Sequence, residues 1–109
     1  QIYYAVKSGP AANDVTLEDA LQVGMDRFAT VIGTGANYMG CPLDRCSVEF
    51  RAIFDAADVI IAKGQANFET LSDTPANLYF VVRAKCQTAA AALGVGVGDV
   101  VLKRQAVRA

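Results

Sequence analysis

"DVIIAKGQANFE", residues 58–69, decides how the rest of this chain is read. Asp58 to Ala62 have the β-branched, apolar character of a buried strand. Lys63 and Gly64 end that run, and Gln65, Asn67 and Glu69 follow at once. A segment that only reversed the chain would need turn formers alone. A cation, two amides and an acid within residues 63–69 mark a candidate site at the tip of a strand.

Working outward, the same alternation of strand and helix recurs. "IYYAVK" (2–7) predicts a first strand and "SGPAAND" breaks it. "TLEDALQVGMDRF" (16–28) places Leu17, Leu21, Met25 and Phe28 at helical spacing, with Thr16 and Asp19 as a capping pair. "FATVI" (28–32) predicts the second strand and runs into "GTGANYMG". "SVEFRAIFDAA" (47–57) has helical period through Phe50, Ile53, Phe54 and Ala57, with Ser47 at the N-cap. After "DVIIA", a short helical turn is expected over "NFETLS" (67–72), a strand over "LYFVVRA" (78–84), a helix over "QTAAAALG" closed by Gly94, and a last strand over "DVVLK" (99–103). Several of these strands are apolar on both faces. The fold expected is therefore α/β: a three-layer α/β/α arrangement with a mostly parallel sheet of about five strands and flanking helices.

The chain has 109 residues, which suits a single α/β domain over 1–109. It opens on Gln1 with a strand almost at once, so it is expected to be a piece of a longer protein. Hydrophobic residues make up 53% and charged residues 19%, with a formal net charge of -1. The basic residues are scattered, which argues against a nucleic-acid platform, and the short basic tail "LKRQAVR" (102–108) reads as solvated strand end. No apolar run approaches the ~18 residues of a membrane span, so no membrane partner is expected. Histidine is absent, which removes serine–histidine and cysteine–histidine nucleophile pairs and histidine-containing zinc patterns. Cys41, Cys46 and Cys86 are odd in number and form no C-x-x-C pair, so thiols in a reducing, cytoplasmic setting are expected.

In open α/β sheets ligands gather at the carboxyl ends of the strands. Here those ends are followed by "KSGPAAND", "GTGANYMG" and "KGQANFE", which would bring an acid, a glycine turn and a lysine to one edge. Asp14 either caps the next helix or, with Thr16 doing the capping, points at a ligand such as a divalent metal. Gly33, Thr34 and Gly35 form either an ordinary turn or one whose N–H groups approach an anion. Lys63 is either a phosphate partner or a lysine whose stem snorkels to the sheet edge. Asn67 and Glu69 either begin a short helix or contact substrate, and Asn13 stands beside Asp14. From the residues alone, the reading is an anion-binding edge with one candidate metal carboxylate.

The blocks "VKSGPAANDVTLEDA", the "TG...G" turn, "LDRCSVEF", "ADVIIAKGQANFETL" and "LYFVVRAKC...A..LGV..GDVVL" occur in order from Val6 to Leu102. Together they resemble the carboxy-terminal part of the damage-control phosphatase family, formerly grouped as domain of unknown function 89. The resemblance implies a metal-dependent phosphatase acting on small phosphorylated metabolites such as sugar phosphates or damaged cofactor precursors. Manganese, cobalt, nickel or magnesium would be its divalent cofactor. It implies that Asp14 is a metal ligand, that Lys63 faces the phosphate as a catalytic cation, and that Gly33, Thr34 and Gly35 border the phosphate. Asn13, Asn67 and Glu69 become candidate substrate contacts. The family's other metal ligands, an adjacent aspartate and asparagine, lie upstream of the matched region. The resemblance thus leaves two alternatives to an active enzyme: a non-catalytic phosphometabolite-binding module, or an assembly unit that pairs as a homo-oligomer or with a missing upstream segment.

Overall fold

Residues 1–105 are described by a computed structural model, in which the chain divides into two compact units, Gln1–Phe54 and the part from Asp55 onward. The end of the basic tail, residues 106–108, lies outside the described residues.

In the first unit, β1 (Tyr3–Val6) and β2 (Thr30–Gly33) pair in parallel, with Val6 opposite Gly33. Parallel neighbours need a crossover between them, and α1 (Leu17–Gln22) supplies it. Its start is the expected capping box: the Asp19 N–H donates to Thr16 Oγ1 at 3.4 Å, and the Thr16 N–H donates to Asp19 Oδ2 at 3.0 Å. Its end is not as expected. The spacing through Phe28 predicted one longer helix, but Gly24 takes the left-handed conformation at φ +79° and a separate 3₁₀ turn follows over Met25–Arg27. Glycine tolerates that geometry where a side chain would clash, so it closes the helix after two turns. The buried face is also different: Ala20 is 1% exposed, whereas Leu17 and Leu21 are each 48% exposed.

The segment after β2 passes through a 3₁₀ turn at Leu43–Arg45 and enters α2 (Val48–Ala56). Ser47 Oγ accepts from the Phe50 N–H at 3.1 Å, as an N-cap should. Phe50 and Phe54, one turn apart, are both buried, with ring centroids 6.1 Å apart.

In the second unit, β3 (Ile60–Lys63), β4 (Leu78–Arg83) and β5 (Val100–Arg104) form a sheet in that order. β3 and β4 are parallel, crossing through α3 (Gln65–Leu71), and β4 and β5 are antiparallel. After α4 (Gln87–Leu93) the chain returns to the end of β4 that it left, so Val100 lies opposite Arg83. Gly94 closes α4 at φ +72°, as its position predicted, and Gly98 then donates to the Ala84 carbonyl at 2.7 Å beside the start of β5.

Leu78 and Phe80 are fully buried and Val82 is 1% exposed, so one face of β4 supplies the centre of this core. Phe68 of α3 meets Phe80 edge-on, with centroids 5.2 Å apart, and Leu71, Ala89, Ala90 and Leu93 complete the layer. The opposite face is open: Ile61 and Leu102 are about 70% exposed (72% and 70%). The expectation of strands buried on both faces does not hold for this sheet. Nor do the strands form one sheet of five. The five expected strands are all present, but they hydrogen-bond as a parallel pair and a mixed sheet of three. The fold is α/β with helices and two small sheets. Among the described residues no helix is long and apolar enough to cross a membrane.

Candidate functional site

The carboxyl end of β1 carries Lys7, Ser8 and Gly9, and because β2 is parallel, the Gly33–Gly35 turn leaves from the same edge. Lys7 also pairs in parallel with Thr16 as an isolated bridge, which draws the segment before α1 along β1. That pairing delivers Asp14 to the edge: its Oδ2 lies 3.9 Å from Lys7 Nζ. The Asp14 side chain is 37% exposed and that of Lys7 only 11%. Lys7 Nζ also donates to the Gly40 carbonyl, so this cation is held from two sides. Asp14 does not cap α1, since Thr16 does. Asn13 is exposed in the turn before it.

The glycine turn is engaged with itself and with β1. The Thr34 N–H donates to the Val6 carbonyl at 2.9 Å, and the Gly35 N–H donates to Ser8 Oγ at 2.7 Å. The buried Thr34 hydroxyl donates to the Ala36 carbonyl at 3.0 Å and accepts from the Ala36 N–H at 3.3 Å. Of the N–H groups expected to face an anion, those of Thr34 and Gly35 therefore have internal acceptors. The need for glycine at 35 is steric: φ is +81° and a Cβ there would lie 2.5 Å from that of Ser47.

In the second unit Lys63 is the last residue of β3, exposed, with no ion-pair or hydrogen-bond partner for its ammonium among the described residues. Gly64 follows at φ +105°, outside the range that side chains readily adopt, and turns the chain directly into α3. Asn67 Nδ2 donates to the Lys63 carbonyl at 2.7 Å, and Glu69 accepts from Gln65 Nε2 at 3.0 Å. Both candidates thus serve the strand-to-helix junction. Gln65 is the busier residue, since its Oε1 also accepts from the Lys85 N–H at 2.9 Å and ties the ends of β3 and β4 together. A groove of 430 Å³ elsewhere in this unit, lined by Phe68, Ala89, Ala92 and Lys103, includes Glu69 but not Lys63.

Asp14 and the glycine turn belong to the first unit, and Lys63, Asn67 and Glu69 to the second. The sequence reading passed over Lys7, Ser8 and Gln65. The rule that singled out Lys63, a lysine at the end of a strand, applies equally to Lys7.

A divalent metal needs several oxygen ligands. Among the described residues no group of three or more acidic or cysteine side chains is arranged to hold one, and the acid expected as a ligand already faces an ammonium. The residues of this chain do not by themselves fit the metal.

Burial pushes the Cys41 thiol up to about 12, and the neighbouring Cys46 adds to the rise. Cys46 is also raised, again by burial first. Their sulfurs lie 4.0 Å apart behind the loop that carries Gly40.

A relative from Pyrococcus horikoshii, called a damage-control phosphatase, is 45% identical over 105 residues, covering 95% of this chain and 37% of the relative. A damage-control phosphatase of Archaeoglobus fulgidus is 39% identical over 100 residues, covering 90% and 35%. The crystal structure of a DUF89 family protein from Pyrococcus horikoshii superposes with a TM-score of 0.93 at 44% identity, over 97% of this chain and 38% of that one. The chain thus spans little more than a third of the length of these relatives. The family model for the damage-control phosphatase ARMT1-like domain matches residues 1–101, and this chain belongs to that family.

Proposed function

We propose that this chain contributes the phosphate-facing part of a phosphatase that hydrolyses small phosphorylated metabolites, such as sugar phosphates or damaged cofactor precursors. The observation that carries this reading is Lys63: a cation at the carboxyl end of a parallel strand, exposed and without a counter-charge among the described residues. Such a lysine offers a point charge to a phosphoryl group and offsets the charge that builds on it in the transition state. Gly64 keeps the approach clear, since among the described residues nothing beyond its chain neighbours lies within 4 Å of where its Cβ would stand. Asn67 and Gln65 hold the junction so that the lysine stem leaves from a fixed backbone.

Asp14 is proposed as one ligand of a manganese, cobalt, nickel or magnesium ion whose remaining ligands come from outside this chain. Lys7 then orients Asp14 and balances its charge. For Gly33, Thr34 and Gly35 to border the phosphate, Ser8 must release the Gly35 N–H. Asn13, Asn67 and Glu69 are proposed at the periphery of the substrate. The three-layer, mostly parallel sheet is proposed for the longer domain that the relatives possess, in a reducing, cytoplasmic setting.

A second reading draws on the 3.9 Å Lys7–Asp14 pair, which already neutralises the one candidate metal carboxylate. In that reading the chain binds phosphometabolites without hydrolysing them. Inorganic phosphate release from a panel of sugar and nucleotide phosphates, with each metal and with chelator, separates the two. Metal-dependent turnover lost in Asp14→Ala supports the enzyme. Phosphate binding without turnover supports the binding module, and neither activity sinks the site.

A further inference from the structure

The buried cysteines of the first unit play no part in the phosphatase reading. We propose that Cys41 and Cys46 form a reversible dithiol–disulfide pair, and that closing it draws the Gly40 carbonyl away from the Lys7 ammonium.

The two sulfurs are 4.0 Å apart, and a disulfide bond is ~2 Å long, so the thiols must approach by about 2 Å. The backbone differs on the two sides of the pair. Cys46 leads into α2: the Ser47 N–H donates to the Thr34 carbonyl at 2.9 Å, and Ser47 caps the helix. The Cys46 N–H donates to the Leu43 carbonyl at 3.1 Å, and its Sγ donates to the Pro42 carbonyl at 3.4 Å. Cys41 follows Gly40, which sits at φ +72° and can rotate more freely than any residue with a side chain. The approach therefore falls on the Gly40–Cys41 side. That is the peptide whose carbonyl accepts from Lys7 Nζ.

Cys41 and Cys46 are 8% and 7% exposed, and the oxidant proposed is a small one, hydrogen peroxide. One thiolate attacks a peroxide oxygen and becomes a sulfenic acid, releasing hydroxide. The second thiol then displaces that oxygen as water and forms the S–S bond. In total two thiols and one hydrogen peroxide give one disulfide and two waters. The thiols lose two electrons and two protons, and the peroxide takes them up. A dithiol reductant reverses the step by exchange.

The charges that face the pair set its pH dependence. Lys7 favours both thiolates, Arg51 favours that of Cys46, and Asp44 opposes it. Burial outweighs them, so the thiols are mostly protonated at neutral pH and the oxidation quickens as pH rises.

Cys86 is exposed and would confuse the readout, so the experiment uses the Cys86→Ser chain. The reduced, folded protein is treated with hydrogen peroxide at neutral and at alkaline pH, blocked with an alkylating agent, digested and mapped by mass spectrometry. The expected result is a Cys41–Cys46 cross-link that forms faster at alkaline pH and is reversed by dithiothreitol. Acylation of Lys7, read on the same peptides, should be several-fold faster in the oxidised chain. Sulfinic or sulfonic acids at the separate cysteines without a cross-link would overturn the pair, as would a cross-link that forms only in urea. A cross-link with unchanged Lys7 acylation would overturn the displacement.

Discussion

Lys7 Nζ stands 3.9 Å from Asp14 Oδ2, with the lysine nearly buried and the carboxylate more than a third exposed. The pair joins the end of β1 to the segment before α1. A burial difference of this kind makes the lysine the less mobile partner and leaves the carboxylate accessible to solvent.

Lys7→Met should therefore destabilise the chain by roughly 1.5–3 kcal/mol, the range for a hydrogen bond to a charged group. It should also loosen the Gly40 loop, which loses its donor. Urea unfolding of the two proteins checks this, and equal midpoints would show that the pair contributes nothing.

Lys63→Ala is expected to leave stability within about 0.5 kcal/mol, as exposed positions usually do. Phosphate binding, measured by titration calorimetry with inorganic phosphate, should be lost. Retained affinity would remove Lys63 from the site.

At Gly35 the expected change is in folding. Gly35→Ala puts a Cβ 2.5 Å from that of Ser47 at a φ of +81°, and should cost at least 1–3 kcal/mol, roughly the range for overpacking alone. A thermal melt measures it, and an unchanged midpoint would mean that the turn adjusts freely.

Thr16→Ala removes a capping box and should cost ~1 kcal/mol while leaving phosphate affinity unchanged. A fall in affinity without a fall in stability would tie the cap to the site rather than to the helix.

The Cys41 thiol gives a pH signature. Its proton is held to about 12 in the folded chain against 9.0 for the ordinary group. Between those values the unfolded chain has lost the proton and the folded chain keeps it, so stability should fall as pH rises from about 9 to about 12. The fall should be shallower in Cys41→Ala, and identical slopes in paired denaturation series would contradict the assignment.

The capping box at Thr16 and Asp19, the Ser47 cap and the Gly94 stop were all legible in the sequence because each depends on residues within about one turn of one another. Lys63 at the end of a strand was legible for the same reason: an apolar run followed by a lysine and a glycine is a local pattern. The exposed side of α1 was not legible. Helical spacing says that Leu17 and Leu21 share a face, but burial depends on what meets that face, and here Ala20 is buried instead. The role of Lys7 was hidden too, because its partners, Asp14 and Gly40, are distant along the chain.

By itself the sequence determined the α/β class, the order of five strands and four helices, the local caps and the family, since these follow from short-range propensity and from motifs kept in order. Only the tertiary structure decided how the strands divide into a parallel pair and a mixed sheet of three, and that the amides of the glycine turn are satisfied internally. It also set Asp14 against Lys7 and brought Cys41 to Cys46. These are questions of which backbone and side-chain groups meet across the fold, and backbone hydrogen bonding between strands has the same chemistry whichever strand is the neighbour.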